Sequence, residues 1–200
     1  MNKVSRTRVN VRVISRIGML SAIAVVLMMF QVPVTFVVPS FIKLDVSELP
    51  ALIGAFTMGP VAAIIISALK NILNILLQGT STGFVGELSN FLLASIFTAT
   101  AGFIYQRKHT FVGAMMGMLV GAVVMTFGAV ISNFYFIFPL YSNFMPMEAI
   151  VNASHAVNSN VHDLWDIMIY CIVPFNLLKA FLTSLVTLLI YKKISPLFRA

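Results

Sequence analysis

The stretch Lys70–Asn90 reads KNILNILLQGTSTGFVGELSN and lies between two long apolar runs. Lys70, Asn71 and Asn74 fall at helical spacing on one side, and Glu87 and Asn90 do so on the other, so each run presents one polar face. Both runs are otherwise compatible with lipid. Ionisable and amide groups in such segments are costly, point into a bundle or cavity, and by default mark a pathway or a binding site. The turn GTSTG between them carries glycines that permit backbone conformations other residues avoid, and Thr80, Ser81 and Thr82 offer hydroxyls to a polar ligand. The stretch reads as part of a binding site for a small molecule.

Composition sets the class. The chain has 200 residues, 60% hydrophobic and only 10% charged, against roughly 45–50% apolar usage in soluble domains. An all-α integral membrane protein is expected, as one membrane-embedded domain over residues 1–200. A net charge of +7 in a soluble protein would suggest nucleic acid, but here the basic residues sit mostly at the ends of apolar runs, the pattern that orients a chain in a bilayer. Lys3, Arg6, Arg8, Arg12 and Arg16 before an apolar run resemble a signal peptide, yet further spans follow and no cleavage site leads into a soluble domain. Cys171 is the only cysteine, which excludes an internal disulfide or a cysteine metal site and leaves a structural thiol.

Six spans are predicted. The first runs from about Val13 to Phe30, and the connection QVPVTFVVPSFIKLD, broken by Pro33 and Pro39, is apolar enough to pack across the mouth of the bundle. The second starts near Ser47, a candidate N-cap, with Glu48 and Pro50 in its first turn, and stops at Gly59-Pro60. It is shorter than the roughly 20 residues that cross a bilayer. The third runs from Pro60 to Gln78, the fourth from Phe84 to Tyr105, the fifth from Phe111 to Tyr141 and the sixth from Ile167 to Tyr191. Gly113, Gly117 and Gly121 form a small-residue stripe on the fifth, suited to close helix packing. A polar connection from Ser142 to Asp166 holds His155 and His162, which read as ordinary loop residues without a third metal ligand.

The N-terminus, the loop at Arg107 and the C-terminus together carry ten Lys and Arg, whereas the opposite side carries only Lys43. Both termini are therefore expected in the cytoplasm. Counting at about 1.5 Å per residue then puts Asn133 about 10 Å inside the outer surface and Asn176 and Lys179 about 13 to 18 Å inside it. Lys70, Asn71, Asn74, Glu87 and Asn90 reach similar levels, while Asp45 and Glu48 enter from the second span. This set converges on one external-facing pocket, with Asn176 and Lys179 sharing a face just after Pro174. Paired donors and acceptors there suit a flat, uncharged, heteroatom-edged ligand better than an ion. Glu48 and Glu87 are the candidate partners for the buried lysines. No phosphate-binding loop, nucleophile elbow or zinc-helix motif occurs, so uphill transport would draw on an ion gradient or a partner ATPase.

The runs LDVSELPALIGAFTMGPVAAIIISALKNILNILLQGTSTGFVGELSNFLLAS, SNFYFIFPLY and VPFNLLKAFLTSLVTLLIYKK together resemble the riboflavin-specific substrate-binding subunits of energy-coupling factor vitamin transporters. The resemblance covers nearly the whole chain. It implies capture of riboflavin from outside the cell membrane without catalysis or cofactor, followed by docking to a transmembrane coupling subunit and two ABC-type ATPases. Flavin-contacting positions would map to Glu48, Asn90, Asn133, Asn176 and Lys179, supported by Asp45 and the Thr82-Gly83 turn; Glu87, beside Asn90, joins the binding set as a fixed ligand or ion-pair member. The family's Ala-x-x-x-Ala docking face on the first helix is matched nearest by Gly18 and Ala22, with glycine in place of the first alanine. Two other readings stand beside this one. The chain would be a subunit for another vitamin or for flavin mononucleotide, whose phosphate only Lys43 would meet, or a stand-alone proton-coupled carrier using Glu87.

Overall fold

In the computed structural model, which describes residues 11–80 and 82–194, the chain is a bundle of helices. The hydroxyl of Ser81 and the charges of Lys3, Arg6, Arg8 and Arg199 lie outside the described residues, as does the side chain of Lys192. Helix α1 (Val11–Met29) leads into a two-residue strand, β1 (Val32–Pro33), which pairs antiparallel with β2 (Lys43–Leu44). Helices α2 (Glu48–Met58), α3 (Pro60–Gln78), α4 (Val85–Arg107) and α5 (Phe111–Ser132) follow. A π-helical turn, Asn133–Ile137, carries α5 into the short α6 (Phe138–Tyr141). Beyond α7 (Met147–His155), α8 (Leu164–Ile167) passes through a second π turn, Met168–Ile172, into α9 (Val173–Ile194).

Five of these segments are long and apolar enough to cross a membrane: Val11–Met29, Pro60–Gln78, Val85–Arg107, Phe111–Tyr141 and Leu164–Tyr191. Their outward faces are apolar, with Leu76, Leu119, Phe127, Phe181 and Leu189 all exposed. The chain is a multi-pass membrane protein. Helix α2, with 11 residues, is shorter, as Gly59 and Pro60 require. Gly59 takes φ +100°, a conformation open to glycine, and Pro60 then starts α3 without needing a donor.

The glycine stripe of α5 divides its labour. A Cβ at Gly117 would lie 2.6 Å from the Ala101 carbonyl oxygen, and one at Gly121 would lie 2.8 Å from that of Phe97, so these two let α5 lie directly on α4. Gly113 instead faces the carbonyl of Lys108 in the preceding turn, where Thr110 caps the helix by accepting from the Gly113 N–H. Helix-on-helix packing thus accounts for two of the three positions.

At the hairpin end, Val34 and Val38 of the apolar connection join Phe138, Ile150, Val161, Ile167, Met168 and Cys171 in one buried cluster. The connection does cover the bundle mouth, as its apolar residues require, and Cys171 is a buried thiol. The segment between α6 and α8 departs from the expected solvated loop. Much of it is α7, which buries Ile150 and Ser154, and His155 ends that helix with Nδ1 2.8 Å from the Val161 carbonyl oxygen.

Candidate ligand cavity

A charge network forms the floor of the cavity. Lys179 on α9 reaches Glu48 Oε1 at 2.9 Å and Asp45 Oδ2 at 3.3 Å. Lys70 on α3, fully buried, reaches the same Glu48 oxygen at 3.2 Å and donates to Ser47 Oγ at 2.7 Å. Two ammonium groups and two carboxylates balance, which is the condition for burying charge without a large penalty. Asp45 lies in the connection ahead of α2 and accepts from the Ser47 N–H at 2.8 Å. Burial opposes ionisation there, but Lys179, Lys70 and the Ser47 hydrogen bonds outweigh it and lower the Asp45 carboxyl to about 2.

Two sequence expectations change at this point. Ser47 makes no side-chain cap at the start of α2: its backbone is already helical, at φ −69° and ψ −8°, and its hydroxyl accepts from Lys70 instead. Nor does Glu87 pair with Lys70 or Lys179, whose carboxylate partners among the described residues are Glu48 and Asp45. Glu87 Oε2 accepts from the hydroxyls of Thr80 at 3.1 Å and Thr82 at 3.0 Å. Those hydroxyls in turn accept from the N–H groups of Phe84 and Gly86, so Glu87 fastens the GTSTG turn to the start of α4. Phe84 stands at φ +70° in that turn, strained for a bulky residue and held by this local web.

Above the floor opens a cavity with about 1050 Å³ of empty space, its open mouth included. Asp45, Glu48, Thr82, Glu87, Asn90, Asn133, Asn176 and Lys179 all line it, together with Asn74. Gly83 does not; it lies against the Phe144 ring instead. Asn133 and Asn176 each donate one amide N–H to the carbonyl four residues earlier, at 2.8 and 2.9 Å, which leaves the other N–H and the Oδ1 acceptor of each for a ligand. Both stand beside the π turns: Asn133 opens the first, and Asn176 bonds back to Ile172, the last residue of the second. Pro174 lacks an N–H for the regular helical ladder, and the π turn ends two residues before it.

Glu48 Oε2, Asn74 Oδ1 and Asn90 Oδ1 are buried without a hydrogen-bond partner among the described residues. Buried acceptors of this kind are expensive unless something supplies donors. The apolar part of the wall comes from Phe41, Phe138, Tyr141, Ile172 and Phe175. Sequence reasoning did not single these out, since aromatic residues in an apolar chain carry no contrast. Gly18 and Ala22 lie elsewhere, exposed on α1, and an added Cβ at Gly18 would meet nothing within 4 Å.

The sequence model for the family described as ECF transporter, substrate-specific component, matches residues 12–191. The chain belongs to that family. Among its relatives, the riboflavin transporter RibU of Staphylococcus aureus (strain TCH60) is 36% identical over 179 residues, covering 90% of this chain and 88% of that protein. The riboflavin transporter FmnP of Bacillus subtilis (strain 168) is 31% identical over 181 residues, covering 90% of each. A solved S component of a bacterial ECF transporter matches with TM-score 0.72 and 32% identity, covering 94% of this chain and 98% of that one. Membership of the ECF family agrees with the resemblance found in the sequence, and it accounts for a ligand cavity in a chain without a catalytic motif.

Proposed function

We propose that this chain captures riboflavin from outside the cell membrane and delivers it for ATP-driven uptake, as the substrate-specific subunit of an ECF transporter. The observation that carries the reading is the set of unpartnered acceptors, Glu48 Oε2, Asn74 Oδ1 and Asn90 Oδ1, in a cavity with an electrically balanced floor and an aromatic wall. Riboflavin offers what that set lacks: a flat uncharged ring with an N–H at its edge, and a polyol chain rich in hydroxyl donors. That two relatives are named riboflavin transporters supports the same ligand.

The chain acts as a single six-span unit, α2 being the short span, with both termini in the cytoplasm. Arg12, Arg16, Arg107, Lys108 and Lys193 gather at the end opposite the hairpin, and Lys43 stands on the hairpin side, which supports this orientation. Exposed Tyr135, Trp165 and Tyr170, on the segments at the hairpin end, support a lipid–water boundary there. The partners are a transmembrane coupling subunit and two ATPases, met through the small-residue face of α1 at Gly18 and Ala22. Titration of riboflavin into the purified chain, followed by quenching of flavin fluorescence, tests the ligand. Saturable quenching is expected, and colourless protein that leaves the fluorescence unchanged would remove the flavin assignment.

A further inference from the structure

Among the described residues Lys70 is the largest fully buried side chain, and it does not line the cavity. Its ammonium sits behind Glu48, 3.2 Å from Oε1, with Ser47 Oγ as its second acceptor at 2.7 Å. The same Oε1 receives Lys179 at 2.9 Å from the cavity side. One carboxylate oxygen thus holds both ammonium groups, while the other, Oε2, stays buried without a partner among the described residues. This division has a chemical consequence. A carboxylate fixed by two cations through one oxygen cannot turn that oxygen to a ligand, and its second oxygen remains a committed acceptor for a hydroxyl or N–H.

We infer that Lys70 is a positioning residue for ligand capture, acting through Glu48: it locks Oε1 from behind and so keeps Oε2 available as an acceptor in the cavity wall. Without Lys70, one ammonium would face two carboxylates. The interior does not tolerate an uncompensated charge, so the pair would take up a proton, and Glu48 would lose the second cation that fixes its rotamer. Ligand binding then suffers although Lys70 never touches the ligand. Removing Lys70 and the Glu48 charge together restores balance, leaving Lys179 with Asp45.

The inference rests on the riboflavin reading for its probe, and the test separates the two. Riboflavin affinity, thermal stability and the infrared carboxyl bands are measured for the full chain and for Lys70→Met, Glu48→Gln and the double variant. Lys70→Met and Glu48→Gln are each expected to bind riboflavin about tenfold more weakly or worse, as loss of a charge-assisted hydrogen bond implies. The double variant should bind no more weakly than Glu48→Gln alone, and should melt at a higher temperature than Lys70→Met. A protonated-carboxyl band should appear in Lys70→Met and be absent from the wild type and the double variant. Wild-type affinity in Lys70→Met, or a loss that adds in full to that of Glu48→Gln, would overturn the inference. Should Lys70→Met fail to fold, the comparison of the double variant with Glu48→Gln decides. Should the wild type fail to bind riboflavin, the ligand reading falls, and the infrared bands still test the role of Lys70 without any ligand.

Discussion

Lys179 on α9 and Asp45, just ahead of α2, meet at 3.3 Å although 134 residues separate them in the sequence, and the contact ties the last long helix to the entry of the short helix α2. Lys179 and Asn176 sit on one face of α9, and both line the cavity. Replacing either by alanine is expected to weaken riboflavin binding by about tenfold or more, since each lost buried hydrogen bond costs about 1 to 3 kcal/mol. Titration of the two variants checks this. Wild-type affinity in both would mean that α9 does not contact the ligand.

Packing gives a prediction independent of the ligand. A side chain at Gly117 has nowhere to go, because the Ala101 carbonyl oxygen would stand 2.6 Å from its Cβ. Gly117→Leu should therefore force α4 and α5 apart and lower stability by about 1 to 3 kcal/mol, the usual range for overpacking. Gly128→Ala serves as the control, since its Cβ would meet only the end of the Ile96 side chain at 3.1 Å. Equal melting temperatures for the two variants in the same detergent would contradict the close approach.

The parts of this molecule that follow from periodicity were legible in the sequence. The Lys70, Asn71 and Asn74 face is buried as its spacing implies, and Pro60 and Gly79 bound α3 where helix-breaking chemistry puts them. Counting along helices gave depth but not rotation about the axis. Glu48 and Glu87 were both candidates for the lysines, and only the fold reveals that α2 turns Glu48 toward them. Glu87 is claimed first by Thr80 and Thr82, hydroxyls a few residues away that pay little chain entropy to reach it. The π turns had no comparable signal. Pro139 and Pro174 each stand two residues past a π turn and so announce a departure from regular helix, but nothing around them in the sequence says that the departure is a π turn or that Asn133 opens one.

Docking and capture should separate on α1. Gly18 and Ala22 are exposed, with the cavity at the far end of the helix, lined on α1 only by Met28. Gly18→Trp or Ala22→Trp should leave riboflavin affinity unchanged, yet prevent the close helix approach that a small-residue face allows. Cells relying on the variant should lose riboflavin uptake. Normal uptake, with normal co-purification of the coupling subunits, would show that docking uses another face.

The source of energy offers the sharpest division between a transporter subunit and an autonomous carrier. A proton-coupled carrier needs a carboxylate free to change protonation as the site alternates, and Glu87 was the candidate for it. In the fold Glu87 Oε2 accepts two hydroxyls and pins the turn that starts α4, so releasing it would dismantle the cavity rim. The other two carboxylates near the floor, Asp45 and Glu48, are each held by a lysine. The isolated chain in liposomes is therefore expected to bind riboflavin without accumulating it, whatever proton gradient is imposed. Addition of the coupling subunit, both ATPases and ATP should start accumulation. Uptake by the isolated chain that collapses with a protonophore, and that Glu87→Gln abolishes without loss of binding, would return Glu87 to a coupling role and make the chain a carrier in its own right.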